Sequence, residues 1–354
     1  MKLLVITTKG KIFHLKQFCH ELEKYKITSK ILLDEEFLAK SYKIFDKIKK
    51  TKKFNEIVLQ FNPDLIILDR MTYLGIKSLN LKIPICVILR GDYWEEYQVA
   101  KELLPKLSIK RITMWKRKKI SDRCLKEAKI IFPISAYLES IIKEHFPKKK
   151  TCLLYNSRNK NDWYNEHSIK LEHPAVGLLQ GAGIWKKTKE IITLKEVVKE
   201  LPNVSFYWAG DGPYRERILE HMKNFKNFHW LGNLKYPDEV RKFLSEIDIY
   251  ALVSGMDSLG QTILEASLME KPILATNVGG ISEILKDKET GLLINLGNSD
   301  EWKQKILEIL KDKKNAEKLG KNAKAFVLEN FTWEHTAKHF VESLKKNNIL
   351  KNID

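Results

Sequence analysis

Short apolar runs alternate with stretches of helical spacing along the whole chain. KLLVITT (2–8), SKILLD (29–34), PDLIILD (63–69) and PICVILR (84–90) are apolar enough to be strands buried on both faces, while HLKQFCHELEKY (14–25) has helical spacing. KIIFPIS (129–135) and KTCLLYN (150–156) continue the strand series. The pattern lapses in the polar stretch 157–173, which reads as a linker, and then restarts. PAVGLLQG (174–181), VSFYWAG (204–210), NFHWLG (227–232), IDIYALVS (247–254), PILATN (272–277) and GLLINL (291–296) are expected strands, and KEIITLKEVVKEL (189–201) an expected helix. This alternation predicts an α/β chain of two doubly wound parallel-sheet domains, spanning 1–160 and 161–332. A last helix over 333–346, within a segment 333–354, is expected to pack back on the first domain. Open sheets bind ligands at the carboxyl ends of their strands, so two such domains facing each other imply a cleft site.

The length of 354 residues fits two domains, and 44% hydrophobic residues fits ordinary cores. No apolar run reaches the roughly 18 residues of a membrane span, and the N-terminal run lacks a signal-peptide cleavage site. Cys19, Cys86, Cys124 and Cys152 are isolated and read as buried reduced thiols, which points to the cytoplasm. A net charge of +18 favours anionic partners, although a general lysine bias of an AT-rich genome explains it equally. The segment 101–126 carries ten Lys or Arg against two acids, interleaved with Leu103, Leu107, Ile109, Ile112, Met114 and Trp115. It suits an anionic membrane surface, or simply a solvated helix face. No nucleic-acid motif is present. His335 and His339 are spaced i, i+4 but have no acid or cysteine set beside them, so no metal site is expected.

The chemistry concentrates in SGMDSLGQTILE (254–265). A strand ends, Gly260 allows close backbone approach, and a helix runs from there to about Met269, its first amides unpaired and suited to an anion. Asp257 and Glu265 flank that turn as acceptors for vicinal hydroxyls, so the set suits a sugar nucleotide. On spacing alone, an N-capping Asp257 with a solvated Glu265 stands level with that reading. In LLQGAGIWKKTKE (178–190), Gly181 and Gly183 form a partial dinucleotide fingerprint that lacks its third glycine. Together with Lys186 and Lys187 they suit a diphosphate, or a plain turn. Gly210 in WAGDGPYRE and Gly232 in WLGNL mark strand ends where a base and ribose would rest. In LRGDYWEEY, Arg90, Asp92 and Trp94 follow a buried strand and are candidates to face the cleft and orient a sugar or acceptor.

Taken together and in order, DSLGQTILEASLMEKPILATNVGGISEIL, AGDGP, WLG, TGLLI and FTWE resemble the retaining glycosyltransferases of family 4, the glycosyl transferases group 1. KIIFPISAYL and LLYNSRN in the first half resemble the family more weakly. The resemblance implies the GT-B fold, a nucleoside-diphosphate sugar donor held mainly by the second domain, a glycan or lipid-linked acceptor, and no metal or other cofactor. By resemblance, Asp257 holds the donor sugar and Glu265 the ribose. Leu259, Gly260 and Gln261 offer backbone amides to sugar and phosphate, and Lys187 holds the diphosphate. Three positions depart from the pattern: Asp257 replaces a glutamate, Ala182 a phosphate-binding arginine, and Arg90 a histidine. The competing functions are a nucleotide-sugar epimerase on the same fold and an inactive partner subunit of a transferase. An NAD-dependent dehydrogenase is the weakest, for want of the third glycine and a suitable acid. The implied location is cytoplasmic and, through 101–126, peripheral at the inner face of the membrane.

Overall fold

The computed structural model describes residues 1–37 and 44–349, the side chains of 44–47 excepted. The chain forms two compact units, one from Met1–Ser157 with the chain from Trp333 onward, the other Arg158–Thr332.

The first unit is built on a five-stranded parallel sheet of order β2-β1-β3-β4-β5. Its strands are β1 (Lys2–Thr7), β2 (Thr28–Leu33), β3 (Leu65–Leu68), β4 (Ile85–Leu89) and β5 (Ile130–Pro133). β3, β4 and β5 are buried along their whole length, as strands covered on both faces must be. The expected strand at 150–156 does not form. The segment runs beside β5, donating from Cys152 N to Ile131 O (3.0 Å) and Leu154 N to Pro133 O (2.9 Å), but only a single bridge at Thr151 is regular. Cys19, Cys86 and Cys124 are buried as expected, whereas Cys152 is only half-buried. The helix Trp333–Lys346 packs in this unit: Phe340 meets Phe18 and Phe132 with ring centroids 5.4 and 5.2 Å apart, and Trp333 Nε1 donates to Gln17 Oε1 (2.9 Å).

The second unit has a six-stranded parallel sheet of order β11-β10-β9-β6-β7-β8. Its strands are β6 (Ala175–Leu179), β7 (Ser205–Ala209), β8 (Phe228–Gly232), β9 (Ile249–Leu252), β10 (Ile273–Thr276) and β11 (Leu292–Ile294). Its core joins apolar side chains of these strands to Ile191, Leu194, Val197, Trp302, Ile306 and Leu319 from the covering helices. The expected helix 189–201 begins as a 3-10 turn, Lys189–Thr193, and becomes α-helical at Leu194–Glu200. The stretch expected to be a linker is largely tied into this unit: Trp163 is buried, Glu166 N donates to Ser245 Oγ (2.9 Å), and Arg241 pairs with Glu166 (3.0 Å).

Candidate active site

The second unit gathers its candidate residues at the carboxyl ends of β6, β7 and β9, the edge at which open parallel sheets bind ligands. After β9 the chain turns through Ser254–Gly260 into the helix Gln261–Leu268. Gly255 is required there by contact. A Cβ at this position would lie 2.3 Å from the Lys186 carbonyl oxygen, and its amide donates to Lys187 O (3.0 Å). This close approach seats the loop after β9 on the helical turn Trp185–Thr188 that follows β6. Lys187 and Asp257, 70 positions apart, thereby meet in an ion pair, with side chains 29% and 10% exposed.

Asp257 does two jobs. One carboxylate oxygen takes Lys187, and the other accepts the amides of Leu259 (3.2 Å) and Gly260 (2.7 Å). Burial opposes its ionisation. The Lys187 charge and these hydrogen bonds outweigh burial and hold the carboxyl below its ordinary range. The Leu259 and Gly260 amides, expected to face sugar and phosphate, are engaged by Asp257 in this structure. Short polar side chains commonly satisfy such turn amides themselves. Gly260 is the residue before the helix and sits at φ 75°, ψ 50°, a left-handed conformation that glycine adopts without cost.

Glu265 is buried rather than solvated. Arg158 Nε donates to its Oε1 (2.9 Å), and both side chains are 3% exposed. Arg158 also reaches the carbonyl and side-chain oxygens of Gln261, each at 3.4 Å. Tyr236 adjoins this pair, and burial, reinforced by Glu265, pushes its hydroxyl far up. Arg158 and Tyr236 were not singled out in the sequence. Arg158 lay in a stretch read as linker, and its single signal was an arginine two positions after the apolar run CLLYN.

The remaining positions line the same edge. Gly181 and Gly183 are exposed in the turn after β6, and an added Cβ would meet nothing closer than 3.7 Å at either. Between them Ala182 is fully buried in the core, so the departure from arginine lies at an inward-facing position. Lys186 is half-buried beside Lys187. Gly210 N donates to Gly232 O (2.7 Å) and Trp230 Nε1 to Gly210 O (2.8 Å), which ties the ends of β7 and β8 together. Gln180 is buried, and its side chain reaches Lys187 O (3.3 Å).

In the first unit Arg90 is buried against Asp69 and Asn156, donating to both. Asp92 instead caps the helix Tyr93–Leu103, accepting Glu95 N at 2.9 Å, and is buried. Trp94 stacks on Tyr93 and His145 (centroids 4.0 and 4.1 Å) and donates to Asp122. Asp92 and Trp94 thus have structural partners within the first unit. A polar residue just after a buried strand is as readily a helix cap as a ligand contact.

Residues 161–326 match the family described as glycosyl transferases group 1, a span that takes in nearly all of the second unit. A protein of Methanocaldococcus jannaschii described as an uncharacterized glycosyltransferase is 30% identical over 206 residues, 58% of this chain and 56% of that protein. The chain therefore spans about half the length of this relative. Among solved structures, sucrose-phosphate synthase from Thermosynechococcus elongatus aligns over 98% of both chains with a TM-score of 0.77 at 15% identity. Anabaena HepE in complex with UDP and glucose aligns over 98% of this chain and 99% of its own, with a TM-score of 0.73 at 16% identity. The expected resemblance to the group 1 transferases is borne out, and the fold is GT-B, with two Rossmann-like parallel-sheet units.

Proposed function

We propose that this protein is a retaining, metal-independent glycosyltransferase that moves a sugar from a nucleoside-diphosphate sugar to a glycan or lipid-linked acceptor. The observation that carries the reading is the Lys187–Asp257 pair, set beside the start of the helix Gln261–Leu268 within the matched span. Cleaving the anomeric bond leaves negative charge on a diphosphate. Lys187, Lys186 and the first amides of that helix are the groups that offset it. Asp257 takes sugar hydroxyls once Lys187 turns to the phosphate. Gly181, Gly183, Gly210 and Gly232 frame the base and ribose, and Glu265, oriented by Arg158, anchors the ribose. The acceptor hydroxyl attacks on the face the diphosphate leaves and passes its proton to the leaving phosphate oxygen, so no protein nucleophile is assigned. HepE's complex with UDP and glucose supports a uridine donor.

The first unit serves the acceptor, with Arg90 as a positioning residue that holds Asp69 and Asn156. The segment 101–126 supports an acceptor at a membrane. Leu107 and Ile109 are 88% and 84% exposed where the basic helix Ile109–Glu127 begins, and Trp115 lies exposed on it. Among the described residues no helix is long and apolar enough to cross a membrane. Purified protein incubated with radiolabelled nucleotide sugars and membrane extract tests the reading: labelled glycan or glycolipid is expected, and labelled free or epimerised nucleotide sugar alone contradicts it. One observation favours a second reading, an inactive partner subunit, because Asp257 already engages the Leu259 and Gly260 amides.

A further inference from the structure

The first unit contains a cavity of about 200 Å³ that the donor chemistry leaves unused. It opens where an open parallel sheet binds ligands. Thr8 follows β1, Asp69 to Thr72 follow β3, and Arg90 and Gly91 follow β4. β1 lies between β2 and β3, so the chain leaves β1 toward one side of the sheet and continues from β3 toward the other. Such a switch point forms a crevice by topology alone.

The lining mixes apolar side chains with a net cationic set, three guanidinium groups, Arg70, Arg90 and Arg117, against two carboxylates, Asp69 and Glu96. Both carboxylates are engaged. Asp69 takes Arg90 and the Thr7 hydroxyl (2.7 Å), and Glu96 takes Arg117 (3.2 Å). That leaves Arg70, which makes no hydrogen bond or ion pair among the described residues. Burial, only partly offset by Asp69, pulls its guanidinium below the ordinary value, the condition of a cation lacking its counter-ion. The volume lies below the roughly 300–1,000 Å³ of a pocket for a drug-sized molecule, which fits one compact charged group.

We propose that this cavity binds a phosphate group of the acceptor, with Arg70 as its main cation and Arg117 as the second. A carboxylate is satisfied by one bidentate fork. Two guanidiniums with nitrogens to spare match a group with three terminal oxygens. That the phosphate belongs to the acceptor rests on the transferase reading, whereas the anion site itself does not.

The test uses the full chain without any nucleotide sugar. Calorimetric titrations at constant ionic strength compare inorganic phosphate, glycerol 3-phosphate and glycerol on the wild type, Arg70→Gln, Arg70→Lys and Arg117→Gln. Phosphate and its ester are expected to bind and glycerol not. Arg70→Gln is expected to lose about ten- to a hundredfold in affinity, with Arg70→Lys between. An unchanged melting temperature in Arg70→Lys separates lost recognition from lost folding. Vesicles of phosphatidic acid in phosphatidylcholine provide the second arm. Soluble-ester binding that depends on Arg70 identifies a free phosphate acceptor, and vesicle binding alone that depends on Arg70 identifies a lipid-borne one. Equal affinity of wild type and Arg70→Gln for every probe, or vesicle binding that persists in Arg70→Gln with no ester binding, overturns the site. Arg70-dependent phosphate binding in a protein that takes no nucleotide sugar would leave the site standing and remove the transferase reading instead.

Discussion

The Lys187–Asp257 pair fixes the site's charge before any ligand arrives, and single substitutions separate its uses. Lys187→Ala is expected to lower kcat by about 10²–10³, the usual cost of removing one preorganised donor to a leaving charge. Steady-state rates with the cognate donor check this. The Asp257 carboxyl is held below its ordinary value of 3.8, so the native state binds its proton less readily than the unfolded chain. Its contribution to stability is complete above that value and is lost as pH falls through the native one. Chemical denaturation from pH 6 down to 3 should show that loss, and Asp257→Asn should flatten it. Glu265→Gln leaves Arg158 as a buried charge without its partner, at a cost of roughly 3–5 kcal/mol. A lowered melting temperature together with a raised KM for donor is expected; an unchanged KM in the folded variant would remove the ribose role.

Elements explain which of these features the sequence displayed. Strands of a parallel sheet announce themselves by continuous apolar runs, so all eleven strands were legible, with the run at 150–156 as one expectation too many. Only β2 is exposed along much of its length among the first unit's strands, yet its SKILLD run still marked it. KTCLLYN failed because an apolar run carries no information on whether a neighbouring strand is in register beyond one bridge. The acids were legible for the same reason as the strands, since each sits at a fixed place on a recognisable turn or helix. Their pairings were not: Arg158 meets Glu265 across 107 positions, and Lys187 meets Asp257 across 70. Gly255 shows the converse, a residue whose need becomes visible only in contact. Gly255→Ala is expected to displace the loop after β9, destabilise the protein by about 1–3 kcal/mol and weaken donor binding, as read by denaturation and titration.

At the scale of the whole molecule, the +18 charge and the exposed apolar residues of 101–126 belong to one prediction. Flotation with vesicles containing anionic lipid should recover the protein at low salt and lose it as salt rises, and Leu107→Asp with Ile109→Asp should abolish recovery without altering donor binding. The central claim lies deeper, in the second unit's use of a nucleoside-diphosphate sugar. Its most direct measurement is the thermal shift of wild type and Lys187→Ala with UDP-, GDP-, ADP-, dTDP- and CMP-sugars, with and without EDTA. A rise in melting temperature with one nucleotide class is predicted, unaffected by EDTA and diminished in Lys187→Ala. No rise with any of them, or an equal rise in both proteins, would contradict it.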